Sequence, residues 1–108
     1  MSSDTRPTFL YKLESACGDL LSSDPNSAAP AVMREHFDYL KHLHERGDVV
    51  LFGLTMNSDP IAFGFCVFHA PSEAEARSIM ENDPFVAKGV AHGTLYPFHI
   101  SLQGQHAA

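Results

Sequence analysis

Residues 48–69 read DVVLFGLTMNSDPIAFGFCVFH, and their reading decides the fold. Two apolar runs, 48–55 (DVVLFGLT) and 61–69 (IAFGFCVFH), flank a turn signal at 57–60 (NSDP). Both are short, rich in Val and Phe, and bounded by turn residues, which predicts two consecutive strands. Neither alternates cleanly between apolar and polar, so both faces of both strands are expected to be covered. Gly53 and Gly64 interrupt the runs and leave room for close approach of another group or for a bulge.

Upstream, residues 31–46 (AVMREHFDYLKHLHER) read as one amphipathic helix. At a helical turn of about 100° per residue, Val32, Met33, Tyr39, Leu40 and Leu43 fall within about 60° of His36. Arg34, Asp38, Lys41 and Glu45 fall on the opposite side, and Gly47 stands where a helix-terminating glycine belongs. Residues 17–30 (CGDLLSSDPNSAAP) are rich in small polar residues and predict a long loop, a kind of segment that often serves function in a small domain. Before it, 8–15 (TFLYKLES) alternates as a strand with Phe9, Tyr11 and Leu13 on one face.

Downstream, Ser72 and Glu75 match an S-x-x-E capping box that opens a second helix with apolar Ala76, Ile79 and Met80. Pro84 ends it by disfavouring helical geometry at Asp83. A last strand is expected over 93–102, with Pro97 marking an edge or an irregularity. The order β-α-β-β-α-β predicts an α+β, ferredoxin-like antiparallel sheet with two helices on one face. The apolar residues of the other face need a cover, and a second copy of the chain is the economical one, so a homodimer is expected. The domain should span 8–102, with flexible tails at 1–7 and 103–108.

The 108 residues suit a single domain, with 44% hydrophobic and 19% charged residues typical of a globular chain. A net charge of −6, from 7 basic residues scattered among 13 acidic ones, excludes a nucleic-acid backbone as partner. No apolar run is long enough to span a membrane. The N-terminal MSSDTRPTFL lacks the basic and apolar regions of a secretory signal, and Cys17 and Cys66 are isolated. These features predict a reduced, cytoplasmic protein.

Two ionisable residues sit where apolar ones belong. His36 is at the centre of an apolar stripe, and Asp83 continues the inward face of the second helix, four residues after Ile79 and three after Met80. Asp83 also falls at a helix C-terminus, where the macrodipole disfavours negative charge. The ordinary reading is a core histidine bonded to backbone and an aspartate that caps a turn before proline. The alternative is a pair, in which the carboxylate fixes the imidazole tautomer and supports proton transfer. A catalytic His36 calls for a solvent-connected cavity reaching it, and a structural one for a sealed, fully hydrogen-bonded ring. Tyr11 is a further hydrogen-bonding candidate if it faces the pocket.

Seven histidines (36, 42, 44, 69, 92, 99 and 106) raise the question of a metal. His42 and His44 diverge on a helix, and no H-x-x-x-H or Cys/His set appears, so neither metal nor cofactor is expected.

The segment from Asn82 through Asp83, Pro84, Phe85, Val86, Ala87, Lys88 and Gly89 to Val90, followed by Tyr96-Pro97-Phe98, resembles the YCII-related family. That family carries a D-P-[FY]-V-x-x-G-[VL] motif and a closing P-F or P-W. The run Arg34, His36, Tyr39, Leu40, Leu43, Gly47 is similar to the family's first helix, and Gly53 falls where members carry a glycine after the second strand. Met33 stands where members often have arginine. The resemblance covers about residues 8–100 and implies a dimeric α+β barrel with a His–Asp active site at His36 and Asp83. It also implies activities such as a dehydrochlorinase-like lyase or a muconolactone isomerase-like enzyme.

The expectation is therefore a cofactor-independent lyase or isomerase acting on a small cyclic or aromatic molecule. His36 and Asp83 would be catalytic, with Tyr11, Gly53 and Phe85 contacting substrate. A non-catalytic ligand-binding or accessory module is the alternative.

Overall fold

The alternating residues 8–15 form strand β1, Thr8–Ser15, the most heavily paired element of the fold. A computed structural model describes residues 5–15, 29–56 and 63–104. After β1 come α1 (Ala29–Glu45), β2 (Val49–Leu54), β3 (Phe63–His69), α2 (Glu73–Asn82), α3 (Pro84–Ala87) and β4 (Ala91–Pro97). The strands form one antiparallel sheet in the order β2-β3-β1-β4, the ferredoxin-like arrangement expected from the sequence.

Strand alternation divides the sheet into two faces. Phe9, Tyr11 and Leu13 of β1 pair with Phe68, Cys66 and Gly64 of β3 and lie under the helices. Val32, Leu40 and Leu43 of α1, Ala76 and Met80 of α2, and Phe85 of α3 complete this core. Tyr39 ties the helices together, its hydroxyl donating to the Ile79 carbonyl oxygen at 2.7 Å. The second face carries Lys12, Leu51, Phe65, Val67 and Tyr96, and Leu51 and Tyr96 are exposed.

Several boundaries differ from the sequence reading. α1 begins at Ala29, within the expected loop, because a proline in the first helical turn has no intrahelical N–H bond to lose. The rest of that loop, residues 17–28, lies outside the described residues, as do the 57–60 turn and residues 1–4 and 105–108 of the expected tails. The last strand is Ala91–Pro97 rather than 93–102. It starts early because Ser15 of β1 is there to pair with Ala91. It stops at Pro97 because β1 runs out: one further bond, from Phe98 N to Thr8 O, closes the ladder. Residues 98–104 then form a groove with Leu51, Phe65 and Val67 on the second face.

Gly47 has φ +83°, the left-handed conformation that ends α1. Ser72 caps α2 as expected, accepting from Glu75 N at 3.2 Å. The four-residue α3 has no counterpart in the sequence reading, since it is too short to show a period.

Candidate active site

His36 occupies the inward stripe of α1 between the buried Val32 and Leu40 and is itself 2% exposed. Arg34, Asp38, Lys41 and Glu45 face outward, as their spacing requires. Asp83 is fully buried. Its backbone (φ −61°, ψ 127°) is extended, which the following proline enforces, and the residue closes α2 while capping α3. The sequence reading carried the α2 face through to Asp83; the structure instead places it at a break between two helices. The penalty of an acid at a helix C-terminus is offset there, because Phe85 N–H at the start of α3 donates to Asp83 Oδ1 at 2.9 Å.

The structure brings the two residues together. His36 Nδ1 lies 2.7 Å from Asp83 Oδ1, and the Tyr11 hydroxyl donates to Asp83 Oδ2 at 2.8 Å. Two donors, the Tyr11 hydroxyl and the Phe85 N–H, and the His36 ring nitrogen converge on one carboxylate, the pattern of an ionised acceptor. An ionised Asp83 has no proton to give, so Nδ1 carries the hydrogen and Nε2 is the ring nitrogen turned away from the carboxylate. Nε2 has no hydrogen-bond partner among the described residues.

Burial, then the nearby Cys66 and Asp83, push the Tyr11 hydroxyl far above its ordinary range, so it remains a donor. Burial and then Asp83 push the Cys66 thiol up to about 12, leaving it a neutral packing group. Burial likewise raises Tyr39 to about 12.

Aromatic rings hold the imidazole in place. Phe85 stacks on it with centroids 4.1 Å apart and planes 8° from parallel, and Phe52 meets it edge-on at 5.0 Å. Beside the ring is a partly open pocket of about 50 Å³, walled by Leu13, Met33, Phe37, Phe52, Leu54, Gly64 and Phe85 together with His36. Phe37 and Leu54 are the exposed pair among these residues.

Of the expected substrate contacts, Phe85 lines the pocket, whereas Tyr11 and Gly53 do not. The Tyr11 hydroxyl is turned to Asp83, and Gly53 pairs with Phe65 on the second face. Sequence reasoning missed Leu13, Met33, Phe37, Phe52, Leu54 and Gly64 as pocket walls. Helical spacing placed Met33 beside His36, but β2 and β3, apolar on both faces, gave no signal of which side faces the pocket. Among the described residues, no group of three or more His, Cys, Asp or Glu is placed to hold a metal ion. No described helix is long and apolar enough to cross a membrane.

A family model for the YCII-related domain matches residues 13–99. No curated protein matches the chain. Among solved structures, the chain is similar to the 5-chloro-2-hydroxyhydroquinone dehydrochlorinase TftG from Burkholderia phenoliruptrix AC1100, in complex with 2,5-dihydroxybenzoquinone. The TM-score is 0.59 at 20% identity, covering 85% of this chain and 93% of that one. At that identity the likeness establishes the shared fold.

Proposed function

This chain belongs to the YCII-related domain family, and from that premise we propose a small-molecule enzyme of lyase or isomerase type. The observation that carries this reading is the bond of 2.7 Å from His36 Nδ1 to a fully buried carboxylate, on a ring that also borders a pocket. Asp83 orients the imidazole and stabilises the imidazolium, and Nε2 removes a proton from the ligand. In an elimination, the C–H electron pair becomes a new π bond, the leaving group departs with its own pair, and the proton passes from Nε2 to solvent. In an isomerisation, the same proton returns to another carbon. TftG, a dehydrochlorinase crystallised with a quinone, supports a small ring as the ligand class by analogy of fold.

Turnover of a panel of lactones and chlorinated phenols tests the proposal. A product formed by the natural chain and lost in His36→Asn supports it, and a variant that still turns over refutes it.

The near-complete burial of the imidazole favours a second reading, a module that binds such a ring without converting it. Calorimetric binding with no product from any member of the panel selects that reading. On either one, the apolar second face, with Leu51 46% and Tyr96 45% exposed, fits a homodimer joined sheet to sheet. The isolated, buried Cys66 fits a reducing, cytoplasmic setting.

A further inference from the structure

The walls of the pocket hold no cation. All 7 lysines and arginines of the chain lie among the described residues, and none of them lines the pocket. Four are engaged elsewhere: Arg6 and Arg46 with Asp48, Lys12 with Glu14, and Lys88 with Glu35. Among the described residues, every wall apart from the His36 ring is an apolar side chain or the Gly64 backbone.

Behind that ring stands Asp83, whose three donors are the imidazole, a backbone N–H and a phenol. No Lys or Arg neutralises this buried negative charge. A second anion entering the pocket would face it across one imidazole, in surroundings where water screens poorly. The cavity is also small, about 50 Å³, so it takes only the edge of a ring. The walls therefore act on the group at that edge.

We infer that the pocket selects its ligand by charge, admitting the uncharged edge of a small ring and turning away a carboxylate, with Met33 as the residue that sets this selectivity. The inference rests on the ring-binding reading above. Met33 lies one turn before His36 on α1, is half-buried, and among the described walls is the one long unbranched side chain. A guanidinium at that position would reach the pocket, oppose Asp83 and offer two donors to a carboxylate. The methionine offers carbon and sulfur, which suit an uncharged ring.

Calorimetric titration of the full chain at pH 8 with phenol, which is neutral there, and with benzoate, which is ionised, tests the inference. The natural chain should bind phenol about tenfold or more tightly than benzoate, and Met33→Arg should narrow or reverse that ratio. Should Met33→Arg fail to fold, Leu54→Lys places a cation at an exposed wall residue and should shift the ratio the same way. Benzoate binding as tightly as phenol to the natural chain overturns the selectivity and leaves the ring-binding reading standing. Binding of neither probe overturns both. A ratio unmoved by a folded Met33→Arg overturns the assignment to Met33.

Discussion

Phe85 touches both members of the pair at once. Its ring lies flat on the His36 imidazole at 4.1 Å, while its backbone N–H donates to Asp83 Oδ1. One short helix therefore fixes the plane of the histidine and the position of its acid together, so changes around it should register in stability and in site geometry alike.

Asp83→Asn keeps the shape of the side chain but sets an NH2 group against one of three donors. The unsatisfied contact should cost about 2–4 kcal/mol in urea denaturation. Turnover of any substrate the panel reveals should fall by about two to four orders of magnitude. A variant as stable as the natural chain would show that the carboxylate is not the hub described here.

Tyr11→Phe removes only the bond to Asp83 Oδ2. Stability should fall by about 1 kcal/mol, the net value of one hydrogen bond. Because Tyr11 does not line the pocket, its effect on chemistry must pass through the carboxylate. The ¹⁵N shifts of His36, which report its tautomer, should therefore move in this variant, and a purely structural tyrosine would leave them unchanged.

Two glycines should respond in opposite ways. A Cβ at Gly93 would lie 2.9 Å from Met80 Sδ and 3.1 Å from Val86 Cγ2, so Gly93→Ala should destabilise by about 1–3 kcal/mol through overpacking. At Gly64 the nearest atom is 3.4 Å away, an ordinary contact. Gly64→Ala should therefore fold normally and weaken ring binding by adding a methyl to the pocket wall. Paired thermal melts and titrations separate the two outcomes.

Alkaline pH should unfold the chain progressively. Cys66 ionises at 9.0 when free and is pushed up to about 12 by burial and Asp83. The unfolded chain releases this proton first, so the stabilisation is whole below pH 9 and is lost as pH rises towards 12. The loss reaches at most about 1.4 kcal/mol per pH unit for this group. Tyr39, raised from 10.0 to about 12 but half-exposed, adds less in the same direction. Denaturation midpoints measured from pH 8 to 11 should fall, and a flat profile would contradict the burial described.

Leu51→Lys on the second face should convert a dimer into a monomer in sedimentation, with little effect on the fold of each chain. A natural chain that sediments as a monomer at all concentrations would exclude the sheet-to-sheet dimer.

The element order was legible because it rests on periodicity, whereas spacing made the His36–Asp83 pairing only an alternative, which the resemblance of residues 82–90 to the YCII-related family then favoured. His36 fell on the stripe of α1, and the 72–82 helix ended near the right residue to meet it. The reason Asp83 reaches the histidine was not legible, since two residues of extended or capping geometry and a four-residue helix leave no repeat to read. β2 defeated the assignment of Gly53 for a different reason. Gly53 was named from the family resemblance, and the strand's two apolar faces give no parity to test it against; with the register shift between Val49 and Leu51, Phe52 rather than Gly53 lines the pocket. Tyr11 was placed on the correct face, but which atom its hydroxyl meets depends on packing that no local pattern encodes.

Because Asp83 closes one helix, opens the next and anchors a buried tyrosine, selection for folding alone would retain it, and the histidine it holds, in a descendant that had lost all turnover. Persistence of the pair among relatives is thus no witness to activity. Phe37 and Leu54, exposed beside the pocket with no hydrogen bond to keep, are where relaxed selection would first leave its mark.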